Sequence, residues 1–210
     1  MKLHLGCGQR YLKGYLNIDI EKQSVADRLV DINKLKYPTG SIDEIRLHHL
    51  FEHFSRPVAL AQICKWRDWL KTRGLLRIET PDILPSFEIV NSPLYSYPDK
   101  QQVLRHIFGS HEADWALHYD GWYENKFENT LKELGFNKFK FRKNSWGLLR
   151  NIEVFAYKTD ETFSYKKDRN RVTKLLSLST VKVKTKDKNI PEGSEAKMLK
   201  VWLKIWKQSL

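Results

Sequence analysis

Two glycines placed directly after a short apolar segment are the first residues with chemical potential. Leu3-His4-Leu5 runs into Gly6-Cys7-Gly8. Glycine lets a strand end turn sharply and lets the backbone approach a ligand with no Cβ in the way. Asp19 closes the next strand-like segment, 15–20, where a carboxylate can accept both hydroxyls of a ribose. Asp31 stands at the end of a third, 29–32, as an acceptor within reach of an adenine amino group. Each aspartate taken singly is more often a turn or cap residue. Three such features at three successive strand ends point instead to one crevice at the carboxyl edge of an α/β sheet.

The elements that must position these residues alternate in type. Further strands are expected at 42–47, 75–79, 137–142 and 152–157, and helices at 55–70, 101–108 and 124–134. In the first helix Ser55 is a candidate cap and Pro57 sits in the first turn. Ala59, Ile63, Trp66 and Leu70 make its apolar stripe, and Gly74 suits the position beyond its end. The pattern predicts an α/β, Rossmann-like doubly wound, mainly parallel sheet. Residues 84–123 read as an irregular lid rich in aromatics and histidines. Residues 1–157 form the expected domain, and 158–210 a basic linker and an amphipathic C-terminal helix, 194–208.

These segments resemble class I S-adenosylmethionine-dependent methyltransferases. Leu3-His4-Leu5-Gly6-Cys7-Gly8 is similar to their first motif. Asp43-Glu44-Ile45-Arg46-Leu47-His48-His49-Leu50-Phe51-Glu52-His53-Phe54 resembles the fourth strand and its loop. Trp69 to Asp82 is similar to the helix, turn and fifth strand of the type-11-like branch. Arg105-His106-Ile107-Phe108-Gly109 and Leu134-Gly135-Phe136 resemble short methyltransferases associated with surface-polysaccharide genes. The resemblance spans about residues 2–157. It implies S-adenosylmethionine as cofactor, with Gly6, Cys7 and Gly8 at its methionine part, Asp19 on the ribose, and Asp31 and Ile32 at the adenine. His48 and His49 would face it from the fourth strand. Two departures stand out. His4 replaces the family's usual acid, and Arg10 stands near a usual third glycine. The interval from Gly8 to Asp19 is also too short for a full first helix. Either that helix is reduced to one turn, or Asp19 is not the ribose ligand. No helix N-terminus is left there to cradle a pyrophosphate, which disfavours a nicotinamide dinucleotide.

Methyl transfer from a sulfonium requires an aligned acceptor, exclusion of water and, for an oxygen acceptor of high pKa, a base. The candidate bases are His111, His118 and Asp120 in the lid and His53 after the fourth strand. The spacings of His106, His111, Asp114 and His118 fit no single helical face, and no metal is expected. The lid aromatics suit stacking on a sugar. An O-methyltransferase of a saccharide or surface-glycan precursor is therefore expected. The alternatives are a nucleic-acid methyltransferase using a basic arm and a non-catalytic cofactor-binding scaffold.

Bulk properties fit this reading. The chain has 210 residues and a net charge of +12. Residues 158–210 hold 14 Lys and Arg against 6 Asp and Glu, so the basicity lies mainly in the tail. No apolar run approaches the roughly 20 residues of a membrane span. Cys7 and Cys64 lack metal-like spacing and read as reduced thiols of a cytoplasmic protein. The C-terminal helix carries Lys197, Lys200, Lys204 and Lys207 on one face, with Trp202 and Trp206 elsewhere. It is expected to pack on the domain or on a second copy, with peripheral contact at the inner membrane face as a further possibility.

Overall fold

The computed structural model describes residues 1–184 and 189–210. Strands β1 (Lys2–Leu5), β2 (Leu16–Asp19), β3 (Arg28–Leu29), β4 (Ile42–His48), β5 (Leu70–Pro81), β6 (Phe136–Trp146) and β7 (Leu149–Lys158) form one sheet. Its order is β3-β2-β1-β4-β5-β7-β6. β1 to β5 run parallel, and β7 enters antiparallel between β5 and β6. The chain moves outward from β1 to β3 and then returns to the other side of β1. That reversal opens a crevice at the carboxyl ends of β1 and β4.

The first crossover has no helix. Only Gly6 to Tyr15 link β1 to β2, and they fold as turns. β3 is shorter than expected: after Leu29 the chain leaves the sheet and makes a 3-10 turn at Ile32–Lys34. Helix α1 (Arg56–Trp69) connects β4 to β5. Ser55 precedes it without a side-chain capping bond, and the helix passes straight into β5 at Leu70, ahead of Gly74.

Half of the expected irregular lid is helical. It holds α2 (Ile83–Asn91) and α3 (Tyr97–Phe108), followed by an extended loop up to α4 (Glu124–Glu133). Ser96 and Asp99 form a reciprocal capping box at the start of α3. Gly109 ends it at φ 96°, and a Cβ there would stand 2.1 Å from the Ala116 carbonyl oxygen. Only glycine lets the loop fold back so closely.

The stretch expected to be a linker contains α5 (Tyr165–Ser177), and the C-terminal helix is α6 (Gly193–Gln208). Two short strands, β8 (Val183–Lys184) and β9 (Asn189–Ile190), pair between them. Val172 and Leu176 of α5 and Trp206 of α6 join the same core as Leu3, Ile45, Leu76 and Trp66. α1 is therefore covered by the sheet on one side and by α5 and α6 on the other. Arg67 shows the consequence. It is buried on α1 and makes a two-pronged ion pair with Asp168 of α5, at 2.6 and 2.8 Å. The opposite sheet face carries Glu44, Arg46, Arg77 and the fully buried Glu153, tied together by ion pairs.

Removing one partner of a buried pair strands the other charge. Arg67→Met should lower unfolding stability by about 3–5 kcal/mol, and Trp206→Ala by a similar ~3–5 kcal/mol through the cavity it leaves. Urea denaturation checks both. Midpoints unchanged from wild type would show that α5 and α6 do not hold the core.

Candidate active site

Two clefts meet at the carboxyl edge of the sheet. The first, of about 840 Å³, is lined by the Gly6–Arg10 turn, by Asp19 to Glu21, by Gln23, Ser24 and Ile32, and by His48, His49 and Leu50. The second, of about 550 Å³, is lined by Glu79, Arg105, His106, His118, Asn144, Trp146 and Asn151 among others. Arg10, His48, His49, His53 and Trp115 belong to both. The clefts thus share one wall, made mostly of imidazoles.

The floor of the first cleft is built by one carboxylate. Asp19 Oδ2 accepts the Gly8 backbone N–H at 2.7 Å, and Oδ1 accepts the Glu21 N–H at 2.9 Å. Gly6 turns at φ 65°, where a Cβ would press on Leu50 at 3.0 Å. A carboxylate has about four lone-pair sites, so Asp19 keeps capacity for a ligand while holding the glycine turn. Its place at the end of β2 does not depend on a first helix. Cys7 is buried beside it, and burial together with the Asp19 charge pushes its thiol up to about 11.

Asp31 departs from expectation. Its carboxylate caps the 3-10 turn, accepting from Asn33 N and Nδ2 at 2.9 and 3.0 Å, and it does not line the cleft. Ile32 does. His4 lies buried in β1 against Asn17 at 3.0 Å, away from both clefts.

The shared wall forms where β4 ends. His49 takes a left-handed backbone, φ 51°, which is uncommon for a residue with a side chain. Its N–H donates to the Glu79 carbonyl at 3.0 Å, so the chain turns over the end of β5. The 3-10 turn Phe51–His53 follows. His49 Nδ1 meets Glu52 Oε1 at 3.1 Å, and His48 Nε2 meets Glu79 Oε1 at 3.1 Å. Burial lowers the His49 pKa, but the Glu52 hydrogen bond and charge outweigh it, leaving a net upward shift. Burial pushes the Glu79 carboxyl up, yet His48 and the Asn144 amide draw it down further, to about 2. His106 and His118 are lowered, chiefly by burial.

The four expected bases separate. His53 lies on the shared wall and His118 lines the second cleft beside it, their rings edge-to-face at 4.7 Å. His111 is exposed, bonded to the Phe108 carbonyl at 3.0 Å, and lines neither cleft. Asp120 faces away. It is ion-paired to Arg56 at 3.3 Å and Lys126 at 2.7 Å and lines another cavity, neither of the two clefts. His106, His111 and Asp114 do not gather with His118 into a common ligand set among the described residues.

Sequence reasoning passed over Glu52, Glu79, Arg105, Asn144, Trp146 and Asn151. His49-x-x-Glu52-His53 carried a signal, since its spacing brings three polar groups round one tight turn. The β6–β7 residues carried none, because only strand pairing brings Asn144 and Asn151 opposite each other and over the cleft.

The sheet order, the glycine turn at β1 and the cleft across β1 and β4 define the class I S-adenosylmethionine-dependent methyltransferase fold. Solved structures agree. The chain is similar to a SAM-dependent methyltransferase from Methanosarcina mazei, with TM-score 0.50 and 14% identity over 76% of this chain and 92% of that one. It is similar to another from Archaeoglobus fulgidus, with TM-score 0.52 and 14% identity over 75% and 85%. The 1,6-didemethyltoxoflavin-N1-methyltransferase of Burkholderia thailandensis, solved with 1,6-didemethyltoxoflavin and S-adenosylhomocysteine, gives TM-score 0.51 and 12% identity over 76% and 71%. At these identities the likeness is one of fold. No protein-family model and no curated protein matches the chain.

Glu79 supplies a pH test. Its folded pKa lies below the ordinary 4.5, so its stabilising contribution is complete above 4.5 and lost as pH falls from there towards 2. Glu79→Gln should therefore flatten the acid limb of a stability–pH curve in that window. Parallel wild-type and variant limbs would show that the His48 contact contributes nothing.

Proposed function

We propose that the chain is an S-adenosylmethionine-dependent methyltransferase that O-methylates a saccharide, such as a surface-glycan precursor. One observation carries the reading: a cleft with the glycine turn and Asp19 shares a wall of histidines with a second, polar and aromatic cleft. A methyl donor in the first presents its sulfonium to an acceptor in the second across that wall.

The residues present fit the cofactor. Gly6 and Gly8 leave backbone access for the methionine part, Asp19 retains lone pairs for ribose hydroxyls, and Ile32 offers an apolar edge for adenine. The donor has no phosphate, so the absent first helix costs it nothing. In the second cleft Trp115 and Trp146, both exposed, offer ring faces for a sugar. Arg105, Asn144 and Asn151 offer hydroxyl partners. When bound, the cofactor supplies an activated methyl group. His49 is the group best placed to take the acceptor proton. Glu52 accepts its Nδ1–H, Nε2 stands 3.9 Å from Glu79 Oε1 with no hydrogen bond between them, and the ring lies on the shared wall. Glu52 is then a positioning residue. The oxygen attacks the methyl carbon, the carbon–sulfur bond breaks, and S-adenosylhomocysteine leaves.

Calorimetry with S-adenosylhomocysteine should show binding by wild type. Asp19→Ala should weaken it by roughly 10- to 150-fold, the value of charge-assisted hydrogen bonds. His49→Ala should keep that affinity and lose about 10²–10⁴ in kcat on the acceptor, found by mass spectrometry of glycan intermediates with labelled cofactor. Absence of binding by wild type, or label carried only by RNA, would overturn the proposal.

A further inference from the structure

We propose that Glu52, His53 and His118 form a binding site for one divalent transition-metal ion of the zinc class, at the acceptor side of the shared wall. Each offers a ligand atom, and these atoms lie within 4.8 Å of one another. Proximity alone would be weak, but three further features point the same way.

The first is tautomer. His53 Nδ1 stands 3.1 Å from the Leu117 carbonyl, and His118 Nδ1 stands 3.2 Å from the Ile107 carbonyl. A carbonyl only accepts, so both Nδ1 atoms carry the proton, and in the neutral rings both Nε2 atoms keep their lone pair. Metal-binding histidines are held in the same way, with the second nitrogen donating to a carbonyl. The second is an orphan oxygen. Glu52 is 2% exposed, its Oε1 is taken by His49, and its Oε2 is buried with no partner. A buried carboxylate oxygen without a donor is costly, and a cation removes that cost. The third is clamping. Tyr119 N–H donates to the Glu52 carbonyl at 2.8 Å, joining the two segments that carry the ligands.

Two imidazoles and one carboxylate suit zinc, cobalt or manganese and not calcium, which takes six to eight oxygens. Tetrahedral ligand atoms about 2.0–2.1 Å from zinc stand roughly 3.4 Å apart, so the three must draw in by up to about 1.4 Å. The other candidate group, His48, His49 and Glu79, is already satisfied internally, since Glu79 Oε1 accepts from both His48 and Asn144. With three protein ligands the ion keeps an open position, and His53 and His118 both line the acceptor cleft. Resting on the methyltransferase reading above, that position takes the acceptor hydroxyl and lowers its pKa. The proton then passes to His49 and the oxygen to the methyl carbon.

Cobalt(II) titration of chelator-stripped protein, followed by visible absorption, tests the site. One equivalent per chain should bind, and zinc should displace it. His118→Asn and Glu52→Gln should each weaken binding about tenfold or more, while His48→Asn should leave it unchanged. S-adenosylhomocysteine calorimetry on the same samples reports folding and separates the two readings. S-adenosylhomocysteine binding with no cobalt band sinks the metal site alone. A cobalt band lost in His48→Asn but kept in His118→Asn sinks it too. A cobalt site in protein that ignores the cofactor product leaves the ion in place and removes the methyltransferase reading.

Discussion

The turn at the end of β4 is the constraint on which the rest depends. His49 is held at φ 51° with its N–H on the Glu79 carbonyl. A residue with a Cβ does not sit there without compensation. The compensation is visible: the ring nitrogen bonds Glu52, and the Glu52 carbonyl receives Tyr119 from the loop above. One short reversal therefore places His48 and His49 between the two clefts, buries a carboxylate under them, and fastens the covering loop.

The other side of the crevice solves a different problem. A parallel crossover usually contains a helix, whose N-terminal amides shape the ligand loop. Here ten residues must turn, cross and enter β2 without one. Asp19 takes over the shaping by bonding Gly8 and Glu21, while Asn17 binds the Leu12 backbone on both its N–H and its carbonyl. Side chains of β2 thus do locally what a helix end does elsewhere.

This explains what was legible in the sequence. The strands and α1 announced themselves because apolar runs and punctuation are local. Asp19 was legible because a strand end fixes its place whatever the connection does. Asp31 misled because β3 stops three residues earlier than its apolar pattern, and a cap and a ligand look alike in sequence. α2 was hidden by Pro85, which is tolerated in a first helical turn. α5 was hidden by its charge: Lys166, Lys167, Arg169 and Arg171 read as a linker, although Val172 and Leu176 form a buried stripe. Arg67 was illegible in principle, since nothing local to α1 says that its second side will also be covered.

That second cover bears on the role of the tail. α6 spends its aromatics inward: Trp206 is fully buried against Tyr165, and Trp202 lies under the Arg56 guanidinium at 5.4 Å. Arg56 in turn bonds Asp120, which also holds Lys126. A chain of contacts thus runs from the C-terminal helix through the start of α1 to the loop that closes the acceptor cleft. Aromatic rings committed to such contacts are not free to enter a lipid interface. Any attraction of α6 to an anionic surface would have to rest on Lys197, Lys200, Lys204 and Lys207, and so would weaken as salt rises. The tryptophans that gave the segment its amphipathic look in sequence pack against the domain, and that packing ties the tail to the loop beside the acceptor cleft.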